Sequence, residues 1–431
     1  MKSKGRSHLA SGLNPTPLVF VTVGLAAMGP AGFGQEAIRE SMAGDELASQ
    51  KQAMIPGDYN IRMGAVGLRT ELHLGFEYND NIYWSSTHRE SDFIIHPEVK
   101  LKSHWQVTRA NTLTFGVGIG YDYYIDHTEL NADRPLISPD SALAFNIFTG
   151  DFKINLHERF YYQESLTYGS YIENDGIFLN LGNEAVLGRY DNRLGAQVDW
   201  DLNDLIVTVG YDHEDFWTAE ETYSYADRVS EWLSASLTFL FSPQIQLGLE
   251  GHANYHNYKE DQIADHWRVG GGPFVGWSLS PNLNLRVGGG YESILSDDPR
   301  MDDTDESNFY AYGQINHRLN TYLNHNLSAG HRNELGFSGY NLEQTYFQYT
   351  AMWNVLRNVD LSTFVSVFFA KEMGYSYEED YTYLQAGITL GYQLHEHWRA
   401  TVGYTYTEKM SDIEYRDYYQ NRIRAGLVYR F

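Results

Sequence analysis

The last fourteen residues, Tyr418 to Phe431, divide by parity into two chemistries. Ile423, Ala425, Leu427, Tyr429 and Phe431 occupy one set of alternate positions, and Arg422, Arg424, Gly426 and Arg430 occupy the other. Successive side chains of a strand point to opposite faces, so this segment reads as a strand with one apolar face and one cationic face. One such strand would fit many sheets. Here the alternation recurs from about residue 66 to the final residue, and that repetition restricts the fold far more than composition does.

Leu113, Phe115, Val117 and Ile119 oppose Thr112, Thr114, Gly116 and Gly118, while Leu205, Val207 and Val209 oppose Thr208 and Gly210. The same pattern sets Ile245, Leu247 and Leu249 against Gln246, Gly248 and Glu250, and Trp398, Ala400 and Val402 against Arg399, Thr401 and Gly403. Short turn-forming breaks fall at 108–111, 149–151, 201–204, 242–244, 281–282, 320–324, 356–359 and 395–397, roughly forty residues apart. Longer polar segments lie between them: 127–138, 165–184, 218–228, 259–265, 296–308, 335–341 and 374–380, with two more at 79–90 and 411–417. Eight short and nine long connections join eighteen strands, with both ends of the barrel segment on the short-turn side. Tyr310–Leu319 and Val186–Tyr190 alternate poorly, which leaves sixteen strands as the main alternative count.

No segment after residue 66 has the helical period that would supply a layer to cover the apolar faces. A repeat of this length also fits a propeller, but propeller blades hold four short strands, and these runs of about ten residues suit a tilted bilayer crossing. In hydrocarbon every unpaired backbone group costs several kcal/mol, so a membrane sheet must close on itself. The expected fold is therefore all-β, a transmembrane antiparallel up-and-down β-barrel, with the polar parity turned inward onto water. The 34 Tyr, 21 Phe and 9 Trp suit interfacial girdles, and a mean hydropathy of −0.44 suits strands that show lipid only every second residue.

Residues 1–34 read as a secretory signal peptide: Lys2, Lys4 and Arg6 precede the apolar run from Pro17 to Met28, which is too short to span a bilayer. Its three positive charges, once removed, would take the formal charge from −25 to −28. Such acidity argues against nucleic acid as a partner. Residues 35–65 do not alternate and read as a short periplasmic N-terminal segment, far smaller than the plug of an energy-coupled transporter; 66–431 is the barrel. The chain has no Cys, so disulfides and thiolate chemistry are excluded.

The first hairpin carries Leu74–Tyr83 (LGFEYNDNIY), a polar loop and a strand opening at Asp92–Ile95. This resembles the opening of the bacterial proteins grouped as putative beta-barrel porin 2, matched at Tyr78, Asp80, Asn81 and Ile82. The terminal aromatics Tyr429 and Phe431 likewise resemble the assembly signal of outer-membrane barrels. The resemblance implies an outer-membrane barrel with pore function in a diderm bacterium, and it supplies no catalytic residues. It also implies contact with outer-membrane lipid and lipopolysaccharide, and with barrel-assembly machinery through the C-terminal strand.

The inward parity offers Arg69, Glu98, Lys100, Lys102, Asp122, Arg159, Arg193, Glu250, Arg268, Arg286, Asp360, Arg399, Arg422, Arg424 and Arg430 as pore-lining candidates. Because both signs are mixed, mutual pairing across strands is the expectation, although Arg399, Arg422, Arg424 and Arg430 form a basic group that would favour anions if left bare. Trp232, Phe274, Tyr346, Phe364 and Phe368 share the inward parity on separate strands. Ser165–Glu184 is apolar for a loop and would narrow the barrel if folded inward. The carboxylates of Ser296–Asn308 suit either solvated loops or divalent cations bridging lipopolysaccharide. Asp126–His127 and Asp212–His213 are strand-type neighbours on opposite faces, so neither makes a catalytic dyad, and no nucleophile elbow occurs. The expectation is a non-enzymatic, cofactor-free channel for passive diffusion of small hydrophilic solutes or ions. A polysaccharide-export barrel and a closed barrel acting as adhesin or tether are the alternatives.

Overall fold

The structure is a computed structural model that describes residues 59–164, 188–299, 307–336, 341–374, 378–413 and 416–431. Residues 1–58, and with them the signal reading, lie outside the described residues, as does the whole of the loop 165–184. Twenty-one strand segments form one sheet. Ile61–Met63 makes only a short hairpin with the start of the first barrel strand, within a stretch whose sequence shows no alternation. Two other segments are pieces of interrupted strands, which leaves eighteen.

In chain order these are β1 (Val66–Asn79), β2 (Asp92–Gln106), β3 (Thr112–Gly120, resumed at Tyr123–Tyr124) and β4 (Leu136–Ile137, resumed at Ala142–Thr149). There follow β5 (Phe152–Gln163), β6 (Arg189–Asp201), β7 (Leu205–Thr218), β8 (Arg228–Leu240) and β9 (Ile245–Tyr258). Next come β10 (His266–Ser280), β11 (Leu283–Leu295), β12 (Ser307–Arg318), β13 (Leu323–Glu334) and β14 (Asn341–Leu356). The last four are β15 (Val359–Met373), β16 (Glu378–His395), β17 (Trp398–Ser411) and β18 (Tyr418–Arg430). Each pairs antiparallel with its sequence neighbours. β1 also pairs with β18, Leu74 opposite Leu427 and Gly75 opposite Gly426, and this closes the barrel without a free edge.

The two parities differ in exposure as the alternation requires. On β9, Leu249 is 57% exposed and its neighbour Glu250 is 5% exposed. Apolar outward side chains form a belt, and aromatics gather at its rims. At the short-turn rim Trp398 lies on Tyr429 (ring centroids 4.7 Å apart), and Tyr429 meets Phe431 edge-on at 5.0 Å. At the long-loop rim Tyr255 lies against Trp267 at 4.9 Å. Such girdles place rings where an apolar body and a polar tip are both satisfied. Among the described residues no helix is long and apolar enough to cross a membrane, which says nothing of strands.

One sector of wall is built of glycine. Gly270 and Gly272 on β10 and Gly288 and Gly290 on β11 all take inward positions. A Cβ on Gly290 would stand 2.1 Å from the Gly271 carbonyl oxygen. With those positions empty, Tyr310 and Tyr312 of β12 lie across two strands and donate to Glu250 of β9 at 3.3 Å and 3.0 Å. This explains the weak alternation of β12: its large side chains point inward over the glycines, and its small ones, Ala311 and Gly313, point out.

Candidate functional site

Side chains converge on the concave face of a barrel and diverge on the convex one. Contacts that leap an intervening strand therefore mark the inside. Arg399 of β17 clasps Asp360 of β15 with two parallel bonds of 2.8 Å. His252 of β9 meets Glu292 of β11 at 2.7 Å, and His157 of β5 meets Asp212 of β7 at 2.5 Å. All these belong to the polar parity, which is thus the inner wall.

The candidate residues fall into pairs and small hubs on that wall. Arg69 and Arg430 both bond Glu71, at 2.6 Å and 2.9 Å. Arg424 bonds Glu77, which also feels the charge of Arg422. Lys100 lies 3.5 Å from Glu98, and Lys100 and Lys102 reach Asp140 at 3.2 Å and 3.3 Å. Asp122 meets His96 at 2.6 Å, and Arg268 meets Glu292 at 2.5 Å. Arg193 lies 3.1 Å from Glu214 and over the ring of Trp232, 5.1 Å from its centroid. Arg286 stacks on Phe274 at 4.3 Å, and Arg159 on Tyr161 at 5.4 Å. The basic group near the seam is therefore not bare: Arg399, Arg424 and Arg430 each hold a carboxylate.

Two hubs escaped the sequence reading. Glu214 receives Arg193, Arg228 and the indole N–H of Trp232, the last at 2.6 Å. Asp140 sits in the break of β4, where parity is lost. Glu214 was visible as an inward residue two after Asp212, but its partners depend on register. Asp212 and His213 do part to opposite faces: Asp212 takes His157 inside, and His213 takes Glu231 outside at 2.9 Å.

The Tyr78–Ile82 motif is a closure clasp. Tyr78 packs outward on Phe93, ring centroids 5.0 Å apart. Asp80 accepts from the backbone and side-chain N–H groups of Asn421 on β18, both at 2.7 Å, and from Arg89. Asn81 is fully buried. Its Nδ2 donates to the Ser85 and Tyr419 carbonyls at 3.0 Å and 2.9 Å, and its Oδ1 accepts the Ser85 N–H at 2.9 Å. Ile82 packs with Ile94 and Tyr124. The motif thus ties the first loop to the last strand at the seam.

A second knot holds the loop after β3. The Asp92 carboxylate accepts the backbone N–H groups of Ile125, Asp126 and His127, the closest at 2.8 Å. His127 bridges Asp92 and Glu90 at 3.1 Å and 2.7 Å. Burial disfavours the charged imidazole, but the bonds to Glu90 and Asp92 outweigh it and raise its pKa. Residues 300–306, 375–377 and 414–415 of the acidic loops lie outside the described residues. Among the described residues no group of three His, Asp or Glu side chains is placed to hold a metal ion.

The family model for putative beta-barrel porin 2 matches residues 57–431. The chain belongs to that family. It is a porin-like barrel of the outer-membrane type. Its outline is similar to crystal structures of OpdQ from Pseudomonas aeruginosa and of a BenF-like porin from Pseudomonas fluorescens Pf-5. Each has 9% identity and a TM-score of 0.48, with 86% of this chain and 100% of that chain covered. OpdK of Pseudomonas aeruginosa, solved with vanillate, gives 10% identity and a TM-score of 0.46 over 84% of this chain and 99% of that one. No protein of curated function matches the chain in sequence.

Proposed function

We propose that this barrel sits in the outer membrane of a diderm bacterium and conducts small hydrophilic solutes and ions by passive diffusion, without enzymatic chemistry. The observation that carries the reading is the closed eighteen-strand wall whose inward parity is polar and charge-paired. Barrels of 16–18 strands leave an aqueous channel when nothing fills them. A wall whose charges are locally matched keeps water in place yet imposes little field along the axis, so weak ion selectivity is expected. The fifteen candidate residues line that path, and Arg399–Asp360, Arg424–Glu77 and Arg430–Glu71 brace it near the seam. The outward rim at Tyr429 and Phe431 presents the C-terminal strand for assembly and then anchors it at the interface.

Single-channel recording of the refolded protein in a planar bilayer, under a salt gradient, tests this. Stable steps with a reversal potential near zero support a charge-matched open pore. A heat-modifiable barrel that stays silent would reject it in favour of a closed tether or adhesin.

A further inference from the structure

The charged rows give way to a neutral patch on β14–β16. Along the sheet Gln348 lies opposite Ser366 and Ser366 opposite Gln385; one row nearer the short turns, Thr350 lies opposite Phe364 and Phe364 opposite Gly387. All hold the inward parity. Gln348, Thr350 and Phe364 are half-buried, whereas Ser366 and Gln385 are buried. The Phe364 ring rests over Gly387, where a Cβ would stand 2.3 Å from it. The glycine therefore lets the ring lie against the wall instead of standing out from it. Among the described residues Gln348, Thr350 and Ser366 make no side-chain hydrogen bond. Gln385 makes only long ones, 3.4 Å to Tyr383 and 3.4 Å to Thr407. The next charge toward the short turns on β15 is Asp360, and Arg399 neutralises it.

A charged wall holds its water tightly, and a neutral solute cannot repay the loss. Neutral amides and hydroxyls with weak internal bonds exchange partners at little cost. An aromatic face beside them accepts the C–H face of a saturated ring. Resting on the channel reading above, we infer that this patch is a subsite for neutral polyhydroxylated solutes, the sugar class. Phe364 stacks on the ring face, and Gln348 and Thr350 bond its hydroxyls.

The test is current block in the same bilayer. Maltohexaose, cellohexaose and a hexameric galacturonate of matched length are titrated against the wild type and the F364A, F364L and Q348A variants. Each variant is first checked for heat-modifiable folding. F364L keeps the bulk of the side chain and removes the flat face. The inference expects saturable block by at least one neutral hexamer, weaker block by the uronate, and a half-blocking concentration raised about tenfold by both F364A and F364L. A conducting channel that no neutral hexamer blocks, or one blocked equally in F364L, overturns the sugar subsite and leaves the channel standing. A channel that never conducts overturns both.

Discussion

Asn81 gives the sharpest energetic test of the seam clasp. Truncation to Ala removes two donated bonds and one accepted bond from a fully buried side chain. At about 1 kcal/mol net for each bond the loss is about 3 kcal/mol, and it approaches ~6 kcal/mol if the Ser85 N–H and the two carbonyls stay unsatisfied. N81D is the stricter variant. It keeps Oδ1 for the Ser85 N–H but sets an anionic oxygen against the carbonyls of Ser85 and Tyr419, so its shape is right and its chemistry is wrong. It should cost at least as much as N81A. Reversible urea unfolding from lipid vesicles, followed by tryptophan fluorescence, measures the global loss. Hydrogen exchange at Ser85 and Tyr418–Gln420 measures local opening, which 3 kcal/mol would speed about a hundredfold. Both variants lying within ~0.5 kcal/mol of wild type, with unchanged exchange at the seam, would refute the clasp.

Other sites give independent outcomes. The raised pKa of His127 means that its bridge stabilises the loop fully below the unfolded imidazole value, about 6.5, and loses that effect as pH rises through the folded value. Amide exchange at Ile125–His127, corrected for intrinsic rates, should therefore quicken above neutral pH in wild type and show no such step in H127F. Gly290→Ala drives a Cβ to within 2.1 Å of backbone and should lower stability by about 3 kcal/mol, whereas Gly313→Ala, which meets nothing within 4 Å, should be nearly neutral by the urea midpoint. Asp360→Ala strips Arg399 of its carboxylate and should move the reversal potential toward anion selectivity. The D360A/R399A double variant should return it, and an unchanged potential in D360A would show that the pair lies off the conduction path.

Much of the barrel was legible because a lipid-facing sheet writes its geometry into parity. Each of the eight short turns falls where turn residues interrupt the alternation, and eighteen strands follow from counting them. Alternation fails where its physical cause fails. β12 looks irregular because Tyr310 and Tyr312 point inward across a glycine floor that cannot be inferred from β12 alone. β4 is broken at Asp140, so its first piece hides in what reads as loop. The inward parity was legible strand by strand, but the partners of its residues were not. Arg399 finds Asp360 two strands away, and Tyr312 finds Glu250 three strands away, through curvature that a single strand does not encode. The Tyr78–Ile82 motif was visible as a signature, yet its role as a clasp needed the contact of Asp80 and Asn81 with β18.

The central claim is that the polar parity faces water through an open lumen and the apolar parity faces lipid. The chain has no Cys, so single substitutions are clean reporters. Asn326 and Leu327 are adjacent on β13 and lie on opposite parities. In the reconstituted barrel, a charged, membrane-impermeant thiol reagent should modify N326C and lower the single-channel current, and should leave L327C unmodified until detergent is added. Modification of L327C with protection of N326C would invert the wall and contradict the account.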